Sequence, residues 1–362
     1  MESEEPVQEH LAELFARTRP ECVLDVGANT GQYGMLLRAH GYQGWIASFE
    51  PVAGAFEQLT EAAGGDRRWR VFPFALGARG ERRQIAVAEV SQLSSFRTFS
   101  DYASTEFPGA SDVTHTEEVD IRALNDVWNE SLGTLRGSRV FLKLDTQGWD
   151  LEVLKGAHEV LERLVGLQLE ASLTPLYESV PTFAQTVEYV AGLGFDLTGV
   201  FPVNRDSLFR LIEVDCVFIN THHPDVETWR EDTWAMLSDR LRDELAGVIP
   251  PAARFLLIDD NTLGIDELSG RGAIPFLERD GEYYGAPEDG TQAVEELARQ
   301  TSAGVRHLAI AWPSFWWLEE YPELARHLED CWRRVAATDA AIVYVLVPED
   351  ARGEAPPATS DV

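Results

Sequence analysis

The chain has 362 residues, 44% hydrophobic and 10% aromatic, with 30 Lys and Arg against 61 Asp and Glu, a formal net charge of -31. That length exceeds what one hydrophobic core usually serves, so two domains are expected, and no apolar run approaches the length that spans a bilayer. The excess of acid repels phosphate backbones and anionic headgroups, so nucleic acid and membrane are poor default partners and a neutral or cationic one fits better, unless the acidic surface only keeps the protein soluble.

The N-terminus, MESEEPVQEHLAELFARTRP, opens with acids and carries no apolar segment of the kind a secretory leader needs, so a cytoplasmic protein is expected. Cys22, Cys216 and Cys331 lie far apart in apolar patterns, which suits buried thiols in a reducing compartment. From residue 21 onward short apolar runs alternate with helical stretches. Strands are predicted at 22–26, 45–49, 70–75, 140–145 and 167–170, with helices opening near residues 31, 52, 151 and 183. The next apolar runs, 195–200 and 213–219, are joined by PVNRDSLFRL, too short for a crossover helix, so they should pair antiparallel. The resulting fold class is α/β: a Rossmann-like, mostly parallel sheet of seven strands with a closing antiparallel hairpin. Residues 81–136, rich in Ser, Thr and acids, are expected to form a long functional loop over the ligand.

This first domain is assigned to residues 1–222 and is followed by a linker helix over 223–250 that ends in a Gly and a double Pro. A smaller α/β domain is expected over 251–348, with buried strands in ARFLLIDD, VRHLAIAW and AIVYVLV and helices at 291–301 and 318–337. The Pro-, Ala- and acid-rich residues 349–362 read as a disordered tail.

Chemistry concentrates in two segments. In VLDVGANTGQYG a buried strand ends at Asp25 and runs through Gly27, Ala28, Asn29 and Gly31 into a helix. Glycine permits close approach of a ligand to the backbone, and the N–H groups of a helix start hold an anionic group such as a carboxylate. Asp25 is placed to hold an ammonium, directly or through water. The glycine spacing departs from G-x-G-x-x-G and suits an amino-acid carboxylate better than a pyrophosphate. One βα unit later, WIASFEP ends in Glu50 and Pro51, where an acid accepts both hydroxyls of an adenosine ribose. After the third strand, Phe74, Ala75 and Leu76 either face an adenine or simply pack the core.

The second segment is VFLKLDTQGWDLEVLKGA, a central strand that should be nearly all apolar yet carries Lys143 and Asp145 on one face. Unpaired burial of these charges is costly, so they should pair with each other or with Glu170 of GLQLEAS at the carboxyl edge of the sheet. A buried structural ion network would account for the same pattern.

DVGANTGQYG, FEP, LKLDTQGWDLEVLKGA, PLYE and GFDLTGVFPV followed by EVDCVFIN, in this order, resemble the FkbM-type methyltransferase family over about residues 21–220. The resemblance implies a Rossmann-like fold that uses S-adenosylmethionine to methylate hydroxyl groups, often of sugars or polyketides. It assigns Asp25, Gly27, Asn29, Gly31 and Glu50 to the cofactor, and Asp145 with Gln147 to the floor of the site. Tyr177 of PLYE and the pair Ser94 and Ser95 of QLSSF are placed with Lys143 and Gln147 near the acceptor, although two loop serines equally suit a turn. Two positions depart from the family pattern: Gln147 stands where many relatives have Glu, and Leu124–Asn125 replaces an apolar-Asp pair. The segments PFLERDGEYYGAP and AWPSFWWLEEYP resemble an accessory α/β domain found beside methyltransferases and glycosyltransferases of bacterial glycan assembly. There Trp312, Phe315, Trp316, Trp317 and Tyr321 suit either sugar stacking or a core, and Asp259 with Asp260 suit either a ligand or a turn.

Methylation of a sugar hydroxyl requires in-line positioning and removal of a proton. Asp145, Glu170 and His115 are the candidate bases; His115 has the best ordinary pKa but equally reads as a lone surface histidine, and the two carboxylates have the better location. A divalent metal held by these carboxylates is compatible with the chemistry but demanded by no motif. The rival readings are an NAD-dependent oxidoreductase, whose glycine fingerprint is missing, and a non-catalytic module that binds cofactor or glycan. Nucleic-acid methylation would call for a basic surface and an Asn- or Asp-Pro-Pro-aromatic motif. Neither occurs in the sequence, which leaves the oligomeric state open.

Overall fold

A computed structural model describes residues 5–109, 112–132, 139–263, 268 and 272–347, so the tail assigned to 349–362 lies outside the described residues. The contacts divide the chain into two units, Met1–Trp229 and Arg230–Val362.

In the first unit α1 (Glu5–Thr18), β1 (Cys22–Val26), α2 (Gln32–Ala39), β2 (Trp45–Phe49), α3 (Ala53–Ala63) and β3 (Trp69–Phe72) follow one another. Then come β4 (Ala75–Leu76), β5 (Glu81–Ala88), α4 (Asp101–Glu106), β6 (Val113–Arg122) and α5 (Leu124–Val127). The unit continues with β7 (Val140–Leu144), α6 (Asp150–Lys155), β8 (Leu164–Ser172), α7 (Phe183–Gly192), β9 (Phe195–Arg205) and β10 (Leu211–Asn220).

Seven strands form one sheet in the order β3-β2-β1-β7-β8-β10-β9. β10 runs antiparallel to both β8 and β9, whereas the other neighbours are parallel. This is the Rossmann-like sheet with a closing hairpin expected from the sequence. The central strands β1 and β7 are buried along their whole length, as a parallel strand covered on both faces must be.

Two departures have local causes. The strand expected over 70–75 is two: Pro73 has no N–H for the ladder, so β3 stops at Phe72 and β4 joins a separate sheet of order β4-β6-β5. Residues 81–136, expected as a loop, supply β5 and β6 of that sheet. Ile85, Val87, Val119 and Ile121 form its buried face, Thr114, Thr116, Glu118 and Asp120 of β6 are exposed, and most of the serines lie in the segment between the two strands.

In the second unit the sheet contains Ala273–Pro275, Phe255–Ile258, His307–Ala311, Ala341–Leu346 and Trp332–Ala337, in that spatial order. The helix expected over 318–337 ends at Cys331, and residues 332–337 pair with Ala341–Leu346 as an edge strand. Asp260 accepts hydrogen bonds from Ser314 Oγ (2.8 Å), Trp316 Nε1 (3.0 Å), Trp317 Nε1 (3.0 Å) and Tyr283 Oη (3.3 Å), which occupies its carboxylate structurally. Trp317 and Tyr321 are core residues, whereas Trp316 is 43% exposed.

The helix Val226–Val248 stands where a linker helix was expected over 223–250. Its Leu237, Leu241 and Leu245 are buried with Phe255 and Leu257 in the second unit. A chain cut after Pro250 therefore strands these leucines in water, and it should self-associate in size-exclusion chromatography where a chain cut after residue 229 elutes as a single compact species. A monodisperse product from the longer cut would contradict this packing.

Candidate functional site

A cavity of about 660 Å³ opens where β1 and β7 end. It lies at the switch point of the sheet, where the chain order reverses and open α/β sheets take their ligands.

One end is built by the turn between β1 and α2. Gly27 has φ 79°, and a Cβ there would stand 1.9 Å from the Asp145 carbonyl oxygen, so the approach of β7 requires glycine. Gly31, with φ 90°, lets the chain enter α2 and packs against Leu59, Ala62 and Trp69. The Gly27 and Ala28 amides are tied to the Phe49 carbonyl at 3.0 and 3.1 Å, which fixes the turn to the end of β2. There Glu50 accepts from the Asn29 amide (2.9 Å) through Oε2 and from the Val52 amide (2.8 Å) through Oε1.

The floor is a polar row across four strands, with Ser48, Asp25, Lys143 and Gln168 aligned in register on β2, β1, β7 and β8. Ser48 Oγ donates to Asp25 Oδ2 at 3.0 Å and accepts from Trp69 Nε1 at 3.0 Å. The Lys143 ammonium lies 3.6 Å from Asp25 Oδ1 and 3.2 Å from Asp145 Oδ2, with the Tyr33 ring 5.3 Å away. Burial opposes its charge, but Asp145 and Asp25 outweigh burial and hold Lys143 above its ordinary range.

Beyond β7, Gln147 (φ 52°) donates through Nε2 to Asp145 Oδ1 (2.9 Å) and to Glu170 Oε2 (3.0 Å). Its Oε1 accepts from the Tyr177 hydroxyl at 2.7 Å. A Glu at 147 would set a third carboxylate against these two, whereas Gln bridges them. Asn125, the other departure from the family pattern, bonds to His158 (2.7 Å) and to the Glu159 amide (3.0 Å) and contributes nothing to the cavity lining.

Several buried acids surround a single lysine. Burial pushes Glu50 up to about 7, although the Val52 and Asn29 amides pull it back. Burial likewise pushes Asp150 to about 6 and Glu213 to about 7. Glu170 is raised well above its ordinary value by burial and then by Asp145, Glu213 and Asp215. These groups bind protons more tightly folded than unfolded, so stability falls as pH rises from the ordinary carboxylate range through about 7. His10, lowered by burial, acts in the opposite sense, as do the lowered Asp66, Glu117 and Asp206, but these three act only below the ordinary carboxylate range. The unliganded protein should therefore melt at higher temperature near pH 5.5 than near pH 8. A melting temperature that climbs across that interval would contradict the buried-acid arrangement.

The cavity brings together Gly27, Ala28, Asn29, Glu50, Pro51, Ala75, Leu76, Ser94, Ser95, Lys143, Asp145, Gln147 and Glu170 of the residues picked out in the sequence. Asp25 supports it from beneath, fully buried. Tyr177 acts through Gln147, and Gly31 through the shape of the turn. Phe74 is not in the lining; its ring packs with Phe49 and Phe72. Ser95 Oγ is already committed, donating to the Gln147 carbonyl (2.8 Å) and accepting from the Arg97 amide (3.0 Å). His115 is not a base for this site: it lies at the exposed start of β6, bonded to Thr114 Oγ1 and Glu117, and is not in the cavity lining.

Sequence reasoning missed Tyr33, Trp149, Gln168 and Asp215 in the lining. Gln168 and Asp215 gave the signal used for Lys143, a polar residue inside an apolar strand. Tyr33 and Trp149 gave none, since an aromatic at helical spacing reads as core. Among the described residues no group of three or more His, Cys, Asp or Glu is arranged to hold a metal ion.

A sheet of this order, with a glycine turn after the first strand and an acid after the second, defines a Rossmann-like methyltransferase domain. The Methyltransferase FkbM domain model matches residues 25–197, and this part of the chain is an FkbM methyltransferase domain. No curated protein matches the chain. Among solved structures it is similar to magnesium protoporphyrin IX methyltransferase of Synechocystis PCC 6803, at 10% identity over 60% of this chain and 78% of that one, with TM-score 0.33. The methyltransferase domain of bacterial CtHen1 gives 12%, 58%, 96% and 0.33 in the same terms. Precorrin-6y C5,15-methyltransferase of Geobacter metallireducens GS-15 gives 13%, 59%, 87% and 0.31. Likenesses of that size carry no weight; the assignment rests on the family match and the sheet.

Proposed function

We propose that the first unit transfers the methyl group of S-adenosylmethionine to a hydroxyl oxygen of a small or glycan-type acceptor, a sugar in the simplest case. The observation that carries this reading is Glu50. Each of its oxygens accepts one backbone N–H, and each retains a lone pair for a ribose hydroxyl at the cavity wall. The rest of the donor set fits the same cofactor. Ala75 with Leu76 offers an apolar rim to an adenine, and Asp25, paired with Lys143, supports the turn from beneath. When bound, the cofactor supplies an electrophilic methyl group.

The protein's own part is to place the acceptor oxygen and take its proton. Asp145 suits that role because its side chain is 36% exposed, unlike Asp25, which is fully buried. Lys143 and Gln147 hold its two oxygens from behind, and each oxygen keeps a lone pair for the acceptor hydroxyl. Glu170, whose burial favours the neutral form, is its neighbour across Gln147. The surplus of acid supports a small neutral or cationic acceptor over nucleic acid. No helix among the described residues is long and apolar enough to cross a membrane.

Isothermal calorimetry tests the cofactor assignment. S-adenosylhomocysteine should bind one per chain and NAD should give no heat; the reverse result would overturn the proposal.

A further inference from the structure

The cavity extends beyond the end that the cofactor reading uses. Gly27, Glu50, Ala75 and Leu76 lie on the β1, β2 and β4 side, whereas the opposite side is lined from α1, α2, β8 and β9. That far side combines an apolar wall of Val7, Leu11, Pro202 and Val203 with the polar side chains of Tyr33 and Gln168. The Tyr33 hydroxyl and Gln168 Oε1 are buried, and neither has a hydrogen-bond partner among the described residues. Leaving a buried polar atom unpaired costs stability, and native proteins seldom retain such atoms without a use for them. The two flank one residue: the Tyr33 ring faces the Lys143 ammonium, and Gln168 is the neighbour of Lys143 in strand register. Neither atom gives up a hydrogen bond when its side chain turns toward a bound molecule.

We infer that this far end is the acceptor subsite, in which Gln168 Oε1 accepts from one acceptor hydroxyl, Tyr33 Oη donates to another, and the apolar wall covers the acceptor's C–H face. A pyranose meets all three demands, since it has neighbouring hydroxyls that donate and accept and a ring face of C–H groups. The inference rests on the methyltransferase reading of the cavity. It adds that Tyr33 and Gln168 determine which acceptor is held, and that α1 forms part of that selection.

The test uses the full chain saturated with S-adenosylhomocysteine and a panel of methyl glycopyranosides, in gluco, galacto, manno and 6-deoxy forms, followed by saturation-transfer NMR. At least one pyranoside should bind. Tyr33→Phe and Gln168→Leu should each weaken it roughly three- to tenfold, the scale of one neutral hydrogen bond, while affinity for S-adenosylhomocysteine stays within about twofold. Both variants remove an unpaired buried polar atom, so their melting temperatures should equal or exceed that of the wild type. A purely structural role would lower them. Pyranosides that bind none of the three proteins, or bind all equally, would overturn the subsite. A parallel loss of S-adenosylhomocysteine affinity would move both residues to the cofactor. Failure of the wild type to bind S-adenosylhomocysteine would instead remove the reading beneath the inference.

Discussion

Glu50→Ala should lower the affinity for S-adenosylhomocysteine by at least about a hundredfold. A hydrogen bond to a charged group contributes roughly 1.5–3 kcal/mol, and two ribose hydroxyls on one carboxylate make roughly 3–6 kcal/mol, or about 10²- to 10⁴-fold. The substitution also strips the Asn29 and Val52 amides of their acceptors, so the β1–α2 turn loosens with it. Glu50→Gln keeps one acceptor oxygen and should fall between the two. Because burial pushes Glu50 up to about 7, binding should also weaken as pH drops below that value, where the carboxylate gains a proton and loses acceptor capacity. Calorimetry at two pH values measures both effects. Unchanged affinity in Glu50→Ala, in a protein with a normal melting curve, would place the cofactor elsewhere.

Asp145→Asn should reduce kcat by roughly 10²- to 10⁴-fold, the usual contribution of a positioned base, with little change in cofactor affinity. The amide preserves the shape of the side chain but has no lone pair of sufficient basicity for the acceptor proton. The comparison that gives this result meaning is Glu170→Gln. Burial raises Glu170 well above its ordinary value and so favours its neutral form, and a neutral isostere should cost less than about tenfold. Single-turnover rates for both variants decide the matter. A large loss in Glu170→Gln with a small one in Asp145→Asn would exchange the two roles.

The sheet was legible because its signals are local. Short apolar runs at 22–26 and 140–144, each followed by a glycine turn, read as buried parallel strands, and the short PVNRDSLFRL link leaves no room for a crossover helix. The cofactor end was legible for the same reason: its glycines and Glu50 lie next to strand ends. The acceptor end was not, because it is assembled from segments far apart in sequence. Val7 and Leu11 of α1 meet Pro202 and Val203 of β9 only once the sheet has closed, and no periodicity in either segment announces that meeting. His115 misled for a related reason. Its side-chain chemistry suits a base, but residues 113–116 at the start of β6 are exposed on both faces, so residue 115 meets solvent although it shares a face with Val119, which is in the core. Ser95 misled because its location was right while its hydroxyl was already occupied by the backbone of the loop it anchors.

The most direct test of the central claim supplies S-adenosylmethionine carrying a ¹³C-labelled methyl group to the full chain, together with a panel of sugars and small glycans, and follows the label by NMR. Transfer to a hydroxyl oxygen, seen as a new methoxy signal that appears with wild type and is suppressed in Asp145→Asn, is the predicted result. A label that arrives on nitrogen or carbon, or on oxygen at the same rate in Asp145→Asn, would contradict it.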